Sequence, residues 1–255
     1  MPDGSLPVMG DDAAVTDGGG GDVLQPGSID AGVGGPPPPL TENVTLHIAG
    51  DSTAAIFAAS DPTMRVGWGA VLQPFFATGV TVDDAARSGR SSKSFIDEGF
   101  WASTRGQIHP GDYVLIQFAH NDEKVGDTAR FTDPATTFPE YLKVYIRDTR
   151  EAGGFAILLT PIVRRQFSGN AIVQTHGNWL AAIAAVAAQT GTPLIDMTAK
   201  TRVLLEGLGP VDSLPLFAVG DNTHLSAVGA PMVAALAVEG FRELQLPIVE
   251  RLVSP

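Results

Sequence analysis

The feature that most constrains this chain is a regular alternation of short apolar runs with longer segments of helical spacing. Five runs, each bounded by Gly, Pro or Asp, predict strands at residues 44–49, 79–83, 113–118, 155–160 and 193–196. Helical spacing is found at residues 68–76, 94–108, 138–152, 178–189, 197–208 and 226–244. Near-continuously apolar runs such as YVLIQF and FAILLT are typical of parallel strands covered on both faces. We therefore predict an α/β fold, a three-layer α/β/α sandwich around a five-stranded parallel sheet.

Residues 1–40 have a different composition. Four consecutive glycines at 18–21, four consecutive prolines at 36–39 and scattered aspartates leave few large apolar side chains. Such a segment cannot offset the entropy of ordering its backbone, about 1–2 kcal/mol per residue. We predict a disordered linker over residues 1–40 and one catalytic-sized domain over 41–255. The preferred interpretation is a stalk that holds an extracellular enzyme, secreted or lipid-anchored on a bacterial surface; a low-complexity tail is the alternative.

Charge and composition exclude several partners. The net charge is −12 and no Lys or Arg precedes Arg65, so nucleic acid and anionic membrane surfaces are poor partners. No apolar run approaches the roughly 18–20 residues of a membrane span, and the first residues lack the pattern of a signal peptide. The chain has no cysteine, and its five histidines show no H-x-x-x-H spacing. We therefore expect neither disulfides nor a metal site.

Polar residues follow the predicted strands at their carboxyl ends, where flavodoxin-like folds carry their sites. Ser52 comes two residues after Gly50, at the end of the first strand. Its hydroxyl is either a nucleophile or a helix N-cap. The stretch GDSTA lacks the second glycine of a G-x-S-x-G elbow, so this serine by itself does not choose between the two.

Three further strand-end elements favour the nucleophile. Asp221 and His224 lie three residues apart and could supply a base and its orienting carboxylate, although a capping loop is the alternative. Gly89 and Asn121 follow the second and third strands and could donate hydrogen bonds to an oxyanion. Alone, each is as well explained as a turn residue. Together the four elements predict an acyl-transfer site.

The order of these blocks resembles that of the SGNH (GDSL-like) hydrolases. More narrowly, seven motifs are similar to those of the rhamnogalacturonan acetylesterases, carbohydrate esterase family 12. They are GDSTAA at 50–55, GWG at 67–69, ARSGRSSKSF at 86–95, HNDEK at 120–124, TPIVRRQF at 160–167, PLIDM at 193–197 and DNTHLS at 221–226. The resemblance covers residues 46–241, nearly the whole predicted domain.

Carried over by position, the resemblance implies Ser52 as the nucleophile, His224 as the general base and Asp221 as its orienting carboxylate. It also implies an oxyanion hole made of the Ser52 and Gly89 amides and the Asn121 side chain. No cofactor or metal is implied.

Two positions depart from the family pattern. Asp84 stands where an asparagine is expected, and Ala119 stands where a glycine is expected. Neither change removes a catalytic atom. Asp84 is expected to affect the loop that carries Gly89, and Ala119 the backbone near Asn121.

Other polar and aromatic residues have two interpretations. Trp68, Arg90, His120 and Arg164 are candidate substrate-binding residues, with core packing, ion pairs or loop support as the alternatives. Of the remaining histidines, His47 is predicted to lie in the core, while His109 and His176 are predicted to be solvated.

The resemblance implies a serine esterase that removes acetyl groups from an acetylated plant cell-wall polysaccharide or oligosaccharide, most simply pectic rhamnogalacturonan. Within the same superfamily, acetyl xylan, lipids or thioesters are alternative substrates, and acyl transfer to a sugar is an alternative reaction. A non-catalytic carbohydrate-binding module is the alternative from another class. Oligomeric state is not predicted.

Overall fold

A five-stranded, all-parallel sheet in the order β2-β1-β3-β4-β7 organises the molecule. The computed structural model describes residues 29–253, so the first 28 residues of the predicted linker lie outside it. The strands of this sheet are β1 Val44–Gly50, β2 Val80–Asp84, β3 Tyr113–Gln117, β4 Phe155–Leu159 and β7 Leu194–Ile195. All five predicted strands are confirmed, and the strand order is that of a flavodoxin-like fold.

Helices cover both faces of the sheet. They are α1 Ser92–Asp97, α2 Phe100–Arg105, α3 Thr137–Glu151, α4 Trp179–Thr190, α5 Met197–Asp212 and α6 Gly229–Glu243. Successive strand residues point to opposite faces. Ile48 and Leu115 therefore pack with α5 and α6 in one core, and Ala49 and Ile116 pack with α1 to α4 in the other. This arrangement confirms the three-layer sandwich.

The short elements differ from the predictions in three places. The predicted helix at 68–76 is two 3₁₀ turns, Gly69–Val71 and Gln73–Phe75, because Pro74 interrupts the segment. The predicted helix at 94–108 is split by Gly99, whose φ of +81° ends α1. A two-stranded hairpin, β5 Phe167–Ser168 and β6 Ala171–Ile172, was not predicted.

Residues 29–40 of the predicted linker lie against the sandwich; we call residues 29–39 the strap. Arg150 of α3 donates to the carbonyls of Ala31 at 2.7 Å and Gly32 at 2.9 Å. The Gly34 amide donates to the Thr190 carbonyl at the end of α4. The domain boundary at residue 40 stays a prediction, but the strap is tied to α3 and α4.

Candidate active site

Ser52 lies in a tight turn directly after β1. The Asp51 carbonyl accepts from the amides of Ala54 and Ala55, and the Asp51 carboxylate accepts from the Thr53 amide at 2.8 Å. The next helical turn begins only at Gly69, so Ser52 is not an N-cap. The turn leaves the Ser52 hydroxyl at the carboxyl edge of the sheet, free for another partner.

That partner is His224, from the loop before α6. His224 Nε2 lies 2.9 Å from Ser52 Oγ, and His224 Nδ1 lies 2.6 Å from Asp221 Oδ2. A carboxylate can only accept, so Nδ1 carries the proton and Nε2 is left to accept from the Ser52 hydroxyl. This is the geometry that a general base needs.

Asp221 has two separate roles in its loop. Its Oδ1 accepts from the amides of Thr223 and His224, which folds the loop, while Oδ2 holds the imidazole. Burial by itself would raise the pKa of Asp221, but the hydrogen bonds from His224 and Thr223 outweigh it and lower that pKa. The carboxylate therefore stays charged. Helix capping falls to Ser226, whose hydroxyl accepts from the amides of Val228 and Gly229.

The expected oxyanion donors face the same space. Gly89 has a φ of +80°, a backbone conformation that is unfavourable for residues other than glycine. Within residues 29–253, no acceptor takes the amide hydrogen of Ser52 or Gly89. Asn121 follows β3 and uses one Nδ2 hydrogen on the Arg90 carbonyl at 2.9 Å, so its second hydrogen remains. Three donors are thus available for a developing oxyanion.

Asp122 ties these donor segments together. Its carboxylate accepts from the Ser92 hydroxyl at 2.5 Å, the Ser92 amide and the Thr132 hydroxyl. Burial raises the pKa of Asp122 to about 7, although these hydrogen bonds oppose the shift. Since Ser92 starts α1 and Asp122 is next to Asn121, this residue fixes the spacing of the two loops.

The two family departures have local consequences. Ala119 has a φ of +145°, a region that favours glycine, so the backbone before Asn121 carries strain that a glycine would relieve. Asp84 Oδ1 accepts from the Ala86 amide, but Oδ2 is shielded from solvent without a partner among the described residues. Burial raises the pKa of Asp84 to about 7.

Ser52, Gly89, Asn121 and His224 line one open cavity of about 330 Å³. Its other walls come from Arg65, Ser88, His120, Lys124, Arg164 and Thr223. Arg65, Lys124 and Thr223 were not predicted from the sequence to belong to the site. The position of Lys124 within HNDEK, three residues after Asn121, was the available signal.

Two of the four candidate substrate-binding residues do not reach this cavity. Trp68 is fully buried and donates to Gln117 Oε1 at 2.9 Å, so it supports the turn around Thr53 instead of stacking on a sugar. Arg90 pairs with Glu98 at 2.6 Å and lies over the Phe100 ring. These contacts favour the alternative interpretations, core packing for Trp68 and an ion pair for Arg90, and substrate binding by either residue stays a prediction.

The other two candidates, His120 and Arg164, do line the cavity, and both belong to a buried polar cluster. Arg164 pairs with Glu123 at 3.0 Å, and Glu123 also contacts His176 Nδ1 at 2.5 Å. His176 is 1% exposed, so the prediction that it is solvated is wrong. His120 packs edge-on against His176, and burial holds the pKa of His120 well below its usual value.

The remaining histidines lie away from the cavity. His47 is buried and pairs with Asp83 at 2.8 Å, which confirms its place in the core. His109 has a side chain that is 78% exposed, as predicted. Across residues 29–253, no three carboxylate, imidazole or thiol side chains are grouped as metal ligands. None of the helices in that range is long and apolar enough to cross a membrane.

Arg165 connects the loop of Asp221 and His224 to the rest of the domain. Its backbone amide donates to the Asn222 carbonyl and its guanidinium donates to Asn222 Oδ1 at 2.8 Å. The same guanidinium donates to Ser213 Oγ at 3.1 Å and to the Pro210 carbonyl. Asn222 lies between Asp221 and His224, so Arg165 holds the loop that carries both.

Comparison with known proteins agrees with this geometry. The GDSL-like lipase/acylhydrolase family model matches residues 48–230. The chain is 38% identical over 229 residues to the rhamnogalacturonan acetylesterase RhgT of Bacillus subtilis strain 168, which covers 84% of this chain and 97% of RhgT. It is 32% identical over 212 residues to the probable rhamnogalacturonan acetylesterase YesY of the same strain, covering 82% of this chain and 97% of YesY.

A solved structure shares the fold. The crystal structure of YxiM from Bacillus subtilis superposes with a TM-score of 0.73 at 27% identity. The match covers 80% of this chain and 57% of the longer YxiM chain. Family model, relatives and fold lead to one assignment: this chain belongs to the GDSL-like lipase/acylhydrolase family.

Proposed function

We propose that this protein is a serine carbohydrate esterase that removes O-acetyl groups from a plant cell-wall polysaccharide, pectic rhamnogalacturonan first among them. The observation that carries the proposal is the hydrogen-bonded series Ser52, His224 and Asp221 at a cavity that three oxyanion donors share. The 38% identity to a rhamnogalacturonan acetylesterase supports the substrate class.

The first half of the reaction follows from this geometry. Ser52 Oγ attacks the ester carbonyl carbon while its proton passes to His224 Nε2. Asp221 stabilises the imidazolium, and the oxyanion is held by the Ser52 and Gly89 amides and Asn121 Nδ2. The C–O bond to the sugar then breaks, and His224 gives its proton to the departing sugar oxygen. An acetyl group remains on Ser52.

Water completes the cycle. His224 takes a proton from water as the water oxygen attacks the acetyl carbonyl, and the same donors hold the second oxyanion. Collapse breaks the bond to Ser52 Oγ, which recovers its proton from His224 and releases acetic acid. The described site residues supply every proton position that these steps require.

The charge of the cavity supports an anionic polymer. Arg65, Lys124 and Arg164 line it, although the chain as a whole has a net charge of −12. Arg65 pairs with Asp61 at 2.9 Å and Arg164 with Glu123 at 3.0 Å, so the uncompensated charge among these three is that of Lys124. Positive charge in a cleft raises the local concentration of anionic substrate. Since such a polymer lies outside cells, the proposal includes action outside the cell.

The test is acetate release from acetylated rhamnogalacturonan, acetylated xylan and p-nitrophenyl acetate, with wild type and Ser52→Ala compared side by side. We expect release from the pectic polymer that Ser52→Ala abolishes. Faster acetate release from acetylated xylan would change the proposed polysaccharide from rhamnogalacturonan to xylan. Faster hydrolysis of an octanoyl ester than of an acetyl ester would change the proposed acyl group. Polysaccharide binding without serine-dependent turnover would overturn the esterase proposal.

A further inference from the structure

The orientation of the Asn121 side chain is fixed by two neighbours of opposite hydrogen-bonding type. Lys124 Nζ lies 2.7 Å from Asn121 Oδ1, and an ammonium group can only donate. The Arg90 carbonyl lies 2.9 Å from Asn121 Nδ2, and a carbonyl can only accept. The amide therefore has one rotational state, and its remaining N–H is the one available to an oxyanion.

Lys124 differs from the other lysines in its charge environment. Lys93, Lys143 and Lys200 each pair with a carboxylate within 3.2 Å. No carboxylate of the described residues lies within 4.0 Å of Lys124, whose bonded partner is the Asn121 amide oxygen. Its positive charge is therefore not neutralised by a contacting carboxylate.

Lys124 is also well placed to act on the reaction. It lines the cavity together with Ser52 and Asn121. Burial, together with nearby Arg130, lowers the pKa of Lys124. An ammonium group polarises an amide that accepts its hydrogen bond, and hydrogen bonds in such a series strengthen one another. The Asn121 N–H thus becomes a stronger donor when the oxyanion forms.

We propose that Lys124 is a positioning residue of the oxyanion hole: its ammonium group orients and polarises the Asn121 amide, and it lowers the barrier to attack on the ester without contacting the substrate. This inference rests on the proposed esterase function. A different role, direct binding of a sugar carboxylate by Lys124, predicts other kinetics and is an outcome of the test.

The test uses p-nitrophenyl acetate, a neutral ester without a sugar carboxylate. Lys124→Met is expected to lower kcat on the order of 10-fold with little change in KM, because a charged partner of the oxyanion donor is lost. Lys124→Arg should recover part of kcat. Lys93→Met, which removes an equal charge from a half-buried lysine bonded to Asp97, is the matched control and should keep wild-type kcat.

A double-mutant cycle separates positioning from other roles. Asn121→Ala alone is expected to lower kcat by on the order of 10² to 10³. Adding Lys124→Met to Asn121→Ala should change kcat less than twofold, because Lys124 acts through Asn121. If the kcat losses of Lys124→Met and Asn121→Ala multiply in the double variant, the proposal is overturned. It is also overturned if Lys124→Met raises KM on the anionic polymer and keeps a normal kcat on the neutral ester.

Folding and function are checked separately. Thermal melting of each variant shows whether Lys124→Met folds, and Lys124→Gln replaces it in the cycle if it does not. Wild-type kcat in Lys124→Met, with activity still abolished in Ser52→Ala, overturns the positioning role and leaves the esterase proposal intact. If Ser52→Ala keeps the activity of the wild type, both the positioning role and the esterase proposal are overturned.

Discussion

At the scale of single residues, three largely buried aspartates lie near the carboxyl ends of β1, β2 and β3. Burial raises the pKa of Asp51, Asp84 and Asp122, to about 7 for the last two. Asp122 accepts hydrogen bonds from Ser92 and Thr132, and Asp51 accepts two from Thr53 on one oxygen, whereas Asp84 accepts one from the Ala86 amide. Asp51 and Asp84 each have a second oxygen without a partner among the described residues. An unpartnered buried carboxyl is costly when charged. Asp84, which stands where the family pattern has asparagine, is therefore expected to lower the stability of the protein when its carboxyl group is charged.

Asp84→Asn is expected to stabilise the protein at pH 8. Because the folded-state pKa of about 7 lies above the ordinary 3.8, the contribution of Asp84 to stability is full below about pH 4 and is lost as pH rises through 7. An asparagine keeps the Ala86 hydrogen bond and never ionises. The gain at pH 8 is up to about 4 kcal/mol in the free energy of unfolding, measured in urea.

The same experiment has an internal control. Asp83→Asn changes the neighbouring carboxylate, whose pKa is lowered by the hydrogen bond from His47. It should destabilise the protein at pH 8, the opposite sign. An Asp84→Asn gain that does not shrink between pH 8 and pH 4 would contradict the assignment.

Elements are joined at the carboxyl edge of the sheet by side chains instead of by backbone pairing. Arg165, after β4, reaches the kink of α5 at Gly209, where φ is +75°, and the loop before α6. The kink leaves the Pro210 carbonyl available to the guanidinium. The segment after β4, the kink of α5 and the loop before α6 are thus joined through Arg165. Together they hold Asp221 and His224 in position beside Ser52.

Arg165→Met is expected to lower kcat by about 10- to 100-fold, because small displacements of catalytic groups have large effects on rate. The measurement is kcat on p-nitrophenyl acetate with a melting curve for each variant. Arg202→Met, on the exposed side of α5, is the control and should be neutral. Equal rates for the two variants would show that the loop does not depend on Arg165.

At the scale of the whole molecule, the strap extends the domain beyond the sheet. The strap lies close to the domain at Gly34, where an added Cβ would lie 2.5 Å from the Gly191 carbonyl oxygen and 2.7 Å from Arg150 Nη2. At Gly35 an added Cβ would meet nothing within 4 Å. Two adjacent glycines therefore form a matched pair that tests whether the strap is docked.

Gly34→Ala is expected to lower the free energy of unfolding by about 1–3 kcal/mol, because the methyl group displaces the strap from Arg150 and α4. Gly35→Ala should change it by less than about 0.5 kcal/mol. Urea unfolding at a single pH gives both values. Equal stability of the two variants would mean that the strap contributes nothing to the folded state.

Much of this architecture was predictable from local sequence. The five strands were predicted because YVLIQF, FAILLT and similar runs report burial on both faces directly. That Ser52, Gly89 and Asn121 lie close together was predictable because parallel strands place their carboxyl ends at one edge. Asp221 and His224 follow no strand of the sheet, and their place beside Ser52 depends on the loop before α6. Residues 68–76 were wrongly predicted as a helix, since apolar spacing there is interrupted by Pro74.

The sequence by itself determined the fold class and indicated the residues of the candidate site, because side-chain period and turn composition act over a few residues. Only the tertiary structure decided which side chains meet, since Ser52 and His224 are separated by 172 positions. It also showed that two residues are buried: Trp68, a candidate substrate-binding residue, and His176, which was predicted to be solvated. The tertiary structure also decided that the Lys124 ammonium group contacts the Asn121 amide and, among the described residues, no carboxylate. Side-chain partners of this kind depend on how loops pack in space.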